Sequence, residues 1–308
     1  MLIIRGFEPC QNADRGCVVA IGNFDGLHLG HQAILTVLQD RGREARLPTV
    51  VLSFEPHPRE YFVPEVAPAR LMRLRDKAAM LATLGVAQLR VLRFDEVLTA
   101  WDGLTYIKRI LVRALGAKRI VVGEDFRFGR DRCGDVAMLR SEGAVRGFAV
   151  DVVPPRIVGG ARVSSTRIRA ALAAGRLEEA KSLLGRDYRI SGRVMEGNRL
   201  GTRLGFPTAN IRLHRRVSPL DGIFAVRVSG SVPGMLPAVA SVGTRPTVGG
   251  GERLLEVHLF DFDGDLYGKR LAVDFISRLR DEIHFPDLES MTAQMHRDAQ
   301  QARELLGA

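Results

Sequence analysis

Over its first 185 residues this chain alternates two textures, and that alternation limits the fold more than any other feature. Short runs rich in branched residues, CVVAIG (17–22), TVVLSF (49–54), LRVLRF (89–94), RIVVG (119–123) and FAVDVV (148–153), are separated by segments with helical spacing. Examples of the latter are HQAILTVLQDRGREA, LRDKAAMLATLG and DGLTYIKRILVRALG. Asp102 stands where the last of these needs an N-cap, and Gly116 stands where it must stop. Runs that are apolar on both faces and alternate with helices predict a parallel sheet covered on both sides. The expectation is a doubly wound α/β domain over residues 1–185, with its ligand beyond the carboxyl ends of the strands.

Past residue 185 the helical spacers stop, RLEEAKSLLGRDY reading as the last helix of the first domain. YRISGRVMEG, GIFAVRVSG, LPAVASVG, LLEVHLFDF and RLAVDFISRL follow, several of them alternating apolar and polar residues with period two. That pattern predicts an antiparallel β-barrel or sheet over residues 186–308. A terminal helix, LESMTAQMHRDAQQARELL, closes it, with Leu288, Met291, Met295, Ala299, Ala302 and Leu306 as a packing stripe.

With 308 residues, 46% of them hydrophobic, either half is large enough to bury a core. No apolar stretch approaches the roughly 20 residues of a spanning helix, and MLIIRGFEPC does not have the order of a signal peptide. A cytoplasmic protein without a membrane partner is expected. Cys10, Cys17 and Cys133 form no CxxC pair, so neither a disulfide framework nor a zinc site is indicated, and Cys17 reads as a buried small hydrophobe. A net charge of +10 suits a polyanionic partner. The arginines are spread along the whole chain and no nucleic-acid module is recognisable, so small phosphorylated ligands fit better than nucleic acid. The oligomeric state is open.

GNFDGLHLGH, residues 22–31, falls between the first long run and the first helix. Glycines there let backbone approach a phosphate, and the following helix N-terminus attracts anions. Neither the Walker A pattern nor GxGxxG is present. The loop carries His28 and His31 instead, three residues apart with Gly30 between them, so both imidazoles can address one ligand. Imidazole can donate hydrogen bonds to phosphoryl oxygens and stabilise charge that develops there. A second phosphate-suited stretch, VSSTRIR (163–169), precedes IRAALAAG. Its Ser164, Ser165 and Thr166 offer caps and hydroxyls, and Arg162, Arg167 and Arg169 offer positive charge.

GNFDGLHLGH together with VSSTRIR resembles the nucleotidyltransferase superfamily, in the form found in the FMN adenylyltransferase module of bacterial bifunctional riboflavin kinase/FAD synthetases. The resemblance implies that Gly22, Asn23, Phe24, Gly30, Arg162, Ser165, Thr166 and Arg169 bind ATP and that His28 and His31 are catalytic. It also implies flavin contacts from Phe54 in FEPHP and from Asp125, Phe126 and Phe128 in VGEDFRFG, some relatives having Asn in place of Asp125.

In the second half, GNRLGTRLGFPTANI (197–211) has glycines suited to wrapping phosphate and oxygen ligands suited to Mg²⁺. LGFPTAN resembles the PTAN signature of riboflavin kinases. By that resemblance Gly201, Gly205, Thr208 and Asn210 hold ATP, with Thr208 and Asn210 on Mg²⁺, and Glu256 in LLEVHLFDF is the base. The same resemblance puts GTRPTVGG (243–250), with Val248 where Phe is common, and SRLRDEIHF (277–285), with Arg280 and Glu282, around the flavin.

The implied activity is bifunctional: riboflavin and ATP give FMN, then FMN and a second ATP give FAD and pyrophosphate. A nucleotidyltransferase for another acceptor leaves PTAN and Glu256 without a role. A non-enzymatic flavin- or nucleic-acid-binding regulator accounts for the charge and leaves the intact histidines unexplained.

Overall fold

A computed structural model describes residues 1–8, 16–196, 205–213, 217–245 and 252–308. The chain folds as two compact units, one of residues 1–68 and 72–164, the other of residues 69–71 and 165–308. The sequence pattern put the boundary at 185/186; the packing boundary lies earlier, at Ser164/Ser165.

In the first unit, strands β1 (Leu2–Arg5), β2 (Cys17–Ile21), β3 (Thr49–Glu55), β4 (Gln88–Arg93), β5 (Ala117–Gly123) and β6 (Ala149–Val153) form one parallel sheet in the order β1-β4-β3-β2-β5-β6. Every residue of β2 is buried, and its alternate side chains feed two different cores. Cys17, Val19 and Ile21 pack with Tyr106, Ile107, Ile110 and Leu111, which belong to α5 (Gly103–Tyr106) and its π-helical continuation Ile107–Ala114, and with Leu139 of α6 (Val136–Arg146). Val18 and Ala20 pack with Leu35 and Leu38 of α1 (Leu29–Ala45) and with Ala78 and Leu81 of α3 (Leu74–Thr83). Helices therefore cover both faces, the doubly wound arrangement expected of strands apolar on both sides. Each fully buried Val, Ile or Leu contributes about 1.5–3 kcal/mol, so a charge at Val19 would break the sheet from its centre.

Caps fix the helix starts. Asp102 accepts the Thr105 amide at 2.7 Å, as its position suggested, and Asp135 accepts that of Met138 at 2.9 Å. Short helices α2 (Pro58–Phe62) and α4 (Glu96–Ala100) follow β3 and β4, and a two-stranded ribbon of β7 (Ile157–Val158) and β8 (Ala161–Arg162) ends the unit. Cys17 is buried, its thiol donating to the Leu115 carbonyl at 3.3 Å.

The second unit begins with α7 (Ser165–Ala173) and α8 (Leu177–Leu184). Among the described residues, β9 (Tyr188–Met195), β10 (Ala209–Arg212), β11 (Gly222–Gly230), β12 (Leu236–Arg245), β13 (Glu252–Leu259) and β14 (Arg270–Arg280) close into an antiparallel barrel in the order β10-β13-β12-β11-β14-β9. Period-two burial fills it: Ile190 and Val194 of β9, Leu255 and Val257 of β13, and Val273 and Phe275 of β14 all point inward. The terminal helix α9 (Leu288–Leu306) packs through Ala299, Ala302 and Leu306 against Ala225 and Phe260. Leu288, expected on that stripe, is 57% exposed and lies outside the packed cluster, which takes only residues from the second half of α9.

Candidate active sites

The strand order reverses at β2, which lies between β3 and β5, so the carboxyl end of β2 is the topological switch point where such sheets bind ligands. Residues 22–28 leave the sheet there. Gly26 has φ +86°, and the non-glycine residues Phe24 and Leu27 also have positive φ, 48° and 45°, with both side chains fully buried. Backbone strain of this kind persists only where packing over-determines it.

His28 and His31 come together, although not as two residues of one helical face. His28 is the N-cap of α1, in extended conformation, and its Nδ1 accepts the His31 amide at 3.2 Å. The two rings stack with centroids 3.6 Å apart and planes 13° apart. Gly30 makes this possible, since a Cβ there would stand 3.2 Å from Cε1 of His28. His31 Nδ1 is buried without a hydrogen-bond partner among the described residues. Burial first, and then the charges of His28, Lys77 and Arg162, hold the His31 pKa well below the ordinary histidine value. His31 is thus a neutral imidazole, suited to donating to phosphoryl oxygen. Gly22, Asn23 and Phe24 form the floor of the same turn, the Phe24 ring 5.1 Å from His31.

Around this turn lie the expected flavin residues. Phe54 at the end of β3 meets Phe94 edge-on at 5.8 Å, and Tyr61 and Phe62 complete an aromatic cluster with Phe94 at 5.6 and 5.5 Å. Phe62 remains 63% exposed, an apolar surface that a planar ligand can cover. Phe126 and Phe128 stack at 5.5 Å, and Phe128, only 7% exposed, also packs against Tyr106. Phe128 is therefore mostly core, and Phe126 the more available of the two. Arg162 and Asp125, expected to contact ATP and flavin nucleotide separately, hold each other at 2.8 Å. The guanidinium keeps the Asp125 carboxyl below its usual range.

Ser165 and Thr166 open α7, in the second compact unit. Arg169 donates to the Ala69 carbonyl at 2.6 Å, and Arg167 pairs with Glu179 at 3.1 Å.

On the barrel, Asn210 of β10 stands directly opposite Glu256 of β13, whose other cross-strand neighbour is Ser241 of β12. Leu255 and Val257 are buried inside the barrel, so this polar row lies on the outer face. Asn210 Nδ2 donates to the Thr208 carbonyl at 3.3 Å, which leaves Oδ1, buried, without a partner among the described residues. His258, two residues beyond Glu256, holds the Pro207 carbonyl through Nδ1 at 2.9 Å, and Phe206 packs between His258 and His296. The PTAN segment is thereby fastened to β13. Gly205 begins it with φ +80°, whereas Gly201 and Val248 lie outside the described residues.

Glu282 accepts from Ser241 Oγ at 3.3 Å, and its carboxylate occupies the space that a side chain at Gly243 would take. Burial, and then the negative charge of Asp221, raise its pKa. Arg280, expected beside the flavin, is clamped by Asp298 of α9 through contacts of 2.7, 2.9 and 3.1 Å.

Nothing in the sequence marks Lys77, whose segment reads as an ordinary amphipathic helix. It is 4% exposed and reaches the histidine turn from α3. Tyr61 and Phe62 are not marked by the sequence either, because only their packing on Phe94, which also meets Phe54, gives them a common surface.

A family model described as FAD synthetase matches residues 10–167, and one described as riboflavin kinase matches residues 184–306. The bifunctional riboflavin kinase/FMN adenylyltransferase of Escherichia coli (strain K12) is 46% identical over 308 residues, which is 100% of this chain and 98% of the relative. That of Haemophilus influenzae is 44% identical over 98% of each chain. A crystal structure of a protein named a macrolide-efflux protein, from Streptococcus pneumoniae, aligns with TM-score 0.82 and 30% identity over 98% of this chain and 99% of the other. Among the described residues no helix is long and apolar enough to cross a membrane. With both family models and full-length relatives in agreement, this chain belongs to the bifunctional riboflavin kinase/FMN adenylyltransferase family.

Proposed function

We propose that the chain makes FAD from riboflavin in two ATP-dependent steps, its residues 186–308 acting as kinase and 1–185 as adenylyltransferase. The observation that carries this reading is that each half holds its own polar cluster: two stacked histidines, of which His31 is held neutral, at a sheet switch point, and on the barrel a carboxylate paired across strands with an amide oxygen that has no partner among the described residues.

In the kinase step the terminal ribityl hydroxyl of riboflavin attacks the γ-phosphorus of ATP, and ADP leaves. Glu256 accepts the hydroxyl proton, and the PTAN segment fixes the phosphates relative to it. Asn210 Oδ1 and the Thr208 hydroxyl are oxygen donors that suit Mg²⁺, and the lack of a partner for Oδ1 among the described residues supports that fit. Bound Mg²⁺ would neutralise phosphate charge.

In the adenylyl step a phosphate oxygen of FMN attacks the α-phosphorus of the second ATP, and pyrophosphate leaves. His28 and His31 donate to the α-phosphoryl oxygens, while Arg162 leaves Asp125 for the triphosphate. Gly22, Asn23, Phe24 and Gly30 shape the turn, and Ser165, Thr166 and Arg169 hold the remaining phosphates. Positioning and preorganised donors supply the rate, with no covalent enzyme intermediate. Phe54, Asp125, Phe126 and Phe128 border the flavin of this step, and Gly205 and Glu282 border the substrates of the kinase. A cytoplasmic setting supplies ATP and receives FAD.

Purified protein incubated with riboflavin, ATP and Mg²⁺ and followed by chromatography is expected to show FMN rising first and then giving way to FAD. Accumulation of FMN alone would restrict the assignment to the kinase. Untouched riboflavin would remove it.

A further inference from the structure

The turn that carries the histidines is held by a charged group that plays no part in the two steps above. Lys77 Nζ donates to the Asn23 carbonyl at 2.6 Å and to Ser53 Oγ at 3.1 Å, and Ser53 Oγ donates to the same carbonyl at 3.2 Å. Ser53 is fully buried and Asp25, in the same turn, is 3% exposed, its Oδ1 accepting the Met72 amide at 3.1 Å. An apolar side chain of similar length would fill the site of Lys77 without the cost of desolvating an ammonium group. Packing alone therefore gives no reason for a lysine.

Two features of the turn do. Phe24 and Leu27 adopt left-handed conformations that L side chains disfavour, one on each side of the Asp25–Gly26 segment, and the Asn23 carbonyl that Lys77 grips is the peptide unit leading into Phe24. His28, the N-cap that stacks on His31, follows Leu27 directly. Fixing one end of the strained segment fixes where both rings stand.

We propose that Lys77 is a positioning residue for adenylyl transfer, pinning the Asn23 carbonyl and placing a fixed positive charge at the histidine turn. This rests on the assignment of His28 and His31 to the α-phosphate. The groups facing His31 are His28 from its own turn, Lys77 from α3 and Arg162 from β8, all cationic or potentially so, with burial acting in the same direction. Removing the Lys77 charge therefore lets His31 protonate at higher pH, and a protonated ring brings a positive charge against the stacked His28, which disturbs the arrangement of the pair.

The test uses full-length Lys77→Met and Lys77→Arg proteins. The single tryptophan, Trp101, belongs to the first unit's core and reports its folding, and FMN formation reports the barrel. Lys77→Met is expected to keep Trp101 emission and FMN formation, to lose FAD formation by about tenfold or more, chiefly in kcat, and to shift the His31 imidazole titration, followed by NMR, upward. Lys77→Arg should restore the low titration and part of the rate. An unchanged kcat together with an unchanged His31 titration in Lys77→Met overturns the proposal. If that variant unfolds the first unit, Lys77→Gln, which keeps a donor for Asn23, decides through the His31 titration: an upward shift supports the role of the charge and no shift overturns it. Wild-type protein that forms no FAD would remove the adenylyltransferase assignment, while the titration would still decide whether Lys77 controls His31.

Discussion

Asn210 and Glu256 occupy paired positions on β10 and β13, so the Glu256 carboxylate shares a small volume on the barrel surface with the Asn210 amide, whose Oδ1 has no partner among the described residues. This row belongs to the second unit and the histidine pair to the first, and the two activities should separate by mutation. Glu256→Gln keeps the shape and removes the base. FMN formation is expected to fall by about 10²–10⁴-fold, the range for general-base catalysis, while FAD formation from supplied FMN is retained. His31→Ala should do the reverse, costing about 10²–10³ in adenylyl transfer, as removal of one preorganised donor does. Chromatography of each variant with riboflavin or FMN as the starting flavin measures both.

Arg162 is held by Asp125 at 2.8 Å, with both side chains about half exposed. An exposed pair of this kind contributes about 0–1 kcal/mol to stability, so its loss should leave folding nearly unchanged. A charge-assisted hydrogen bond to triphosphate is worth about 1.5–3 kcal/mol. Arg162→Ala is therefore expected to raise KM for ATP in the adenylyl step by about tenfold or more, with urea unfolding followed at Trp101 unaltered. A large loss of stability with an unchanged KM would assign the pair a structural role.

Gly243 has a packing reason of its own. A Cβ there would meet the Glu282 carboxylate, the end of a flexible side chain, so Gly243→Ala should displace Glu282 from Ser241 and leave the barrel folded. Riboflavin KM is expected to rise in this variant, and Glu282→Ala should reproduce the increase. If Glu282→Ala is silent in steady-state kinetics, this carboxylate does not border the flavin.

The folds of both halves were legible because burial on both faces, or on one, leaves a direct record in residue order. β2 is apolar throughout and β9 alternates, and each stands where the pattern put it. β1 was not legible: Leu2 is 60% and Ile3 50% exposed, and only pairing with β4 makes this short edge segment a strand. β10 was hidden for a related reason, since its four residues directly follow a glycine- and proline-rich stretch of sequence that dominates the local signal. The histidine spacing put the two imidazoles close together, yet the rings meet through an N-cap and a stack, which depend on the positive φ of Leu27 and on the missing Cβ of Gly30. Lys77 left no trace because its partners, Asn23 and Ser53, are distant in sequence.

Arg280 illustrates a residue whose surroundings redirect its role. Its bidentate contact with Asp298, whose side chain is 5% exposed, ties the end of β14 to α9. Breaking a buried pair by removing one partner costs about 3–5 kcal/mol, because the remaining charge is left uncompensated. Arg280→Ala is thus expected to destabilise the barrel by roughly 3 kcal/mol, seen as faster hydrogen exchange in α9 and β14. A variant of normal stability and raised riboflavin KM would return Arg280 to the flavin.

The depressed pKa of His31 has a consequence for stability whose sign is fixed. In the unfolded chain a histidine titrates near 6.5, whereas in the folded first unit burial, then His28, Lys77 and Arg162, delay protonation to lower pH. Between those two values the unfolded state binds a proton that the folded state does not, so unfolding is favoured progressively as pH falls through about 6.5. Below the folded pKa both states carry the proton and this contribution levels off. Urea unfolding monitored at Trp101 from about pH 7.5 to about pH 5 should show the midpoint falling over that window. His31→Asn, which cannot titrate, should remove the part of the slope due to this residue. An identical pH dependence in wild type and His31→Asn would mean that the ring titrates alike in both states, and the account of a neutral donor at the α-phosphate would lose its electrostatic basis.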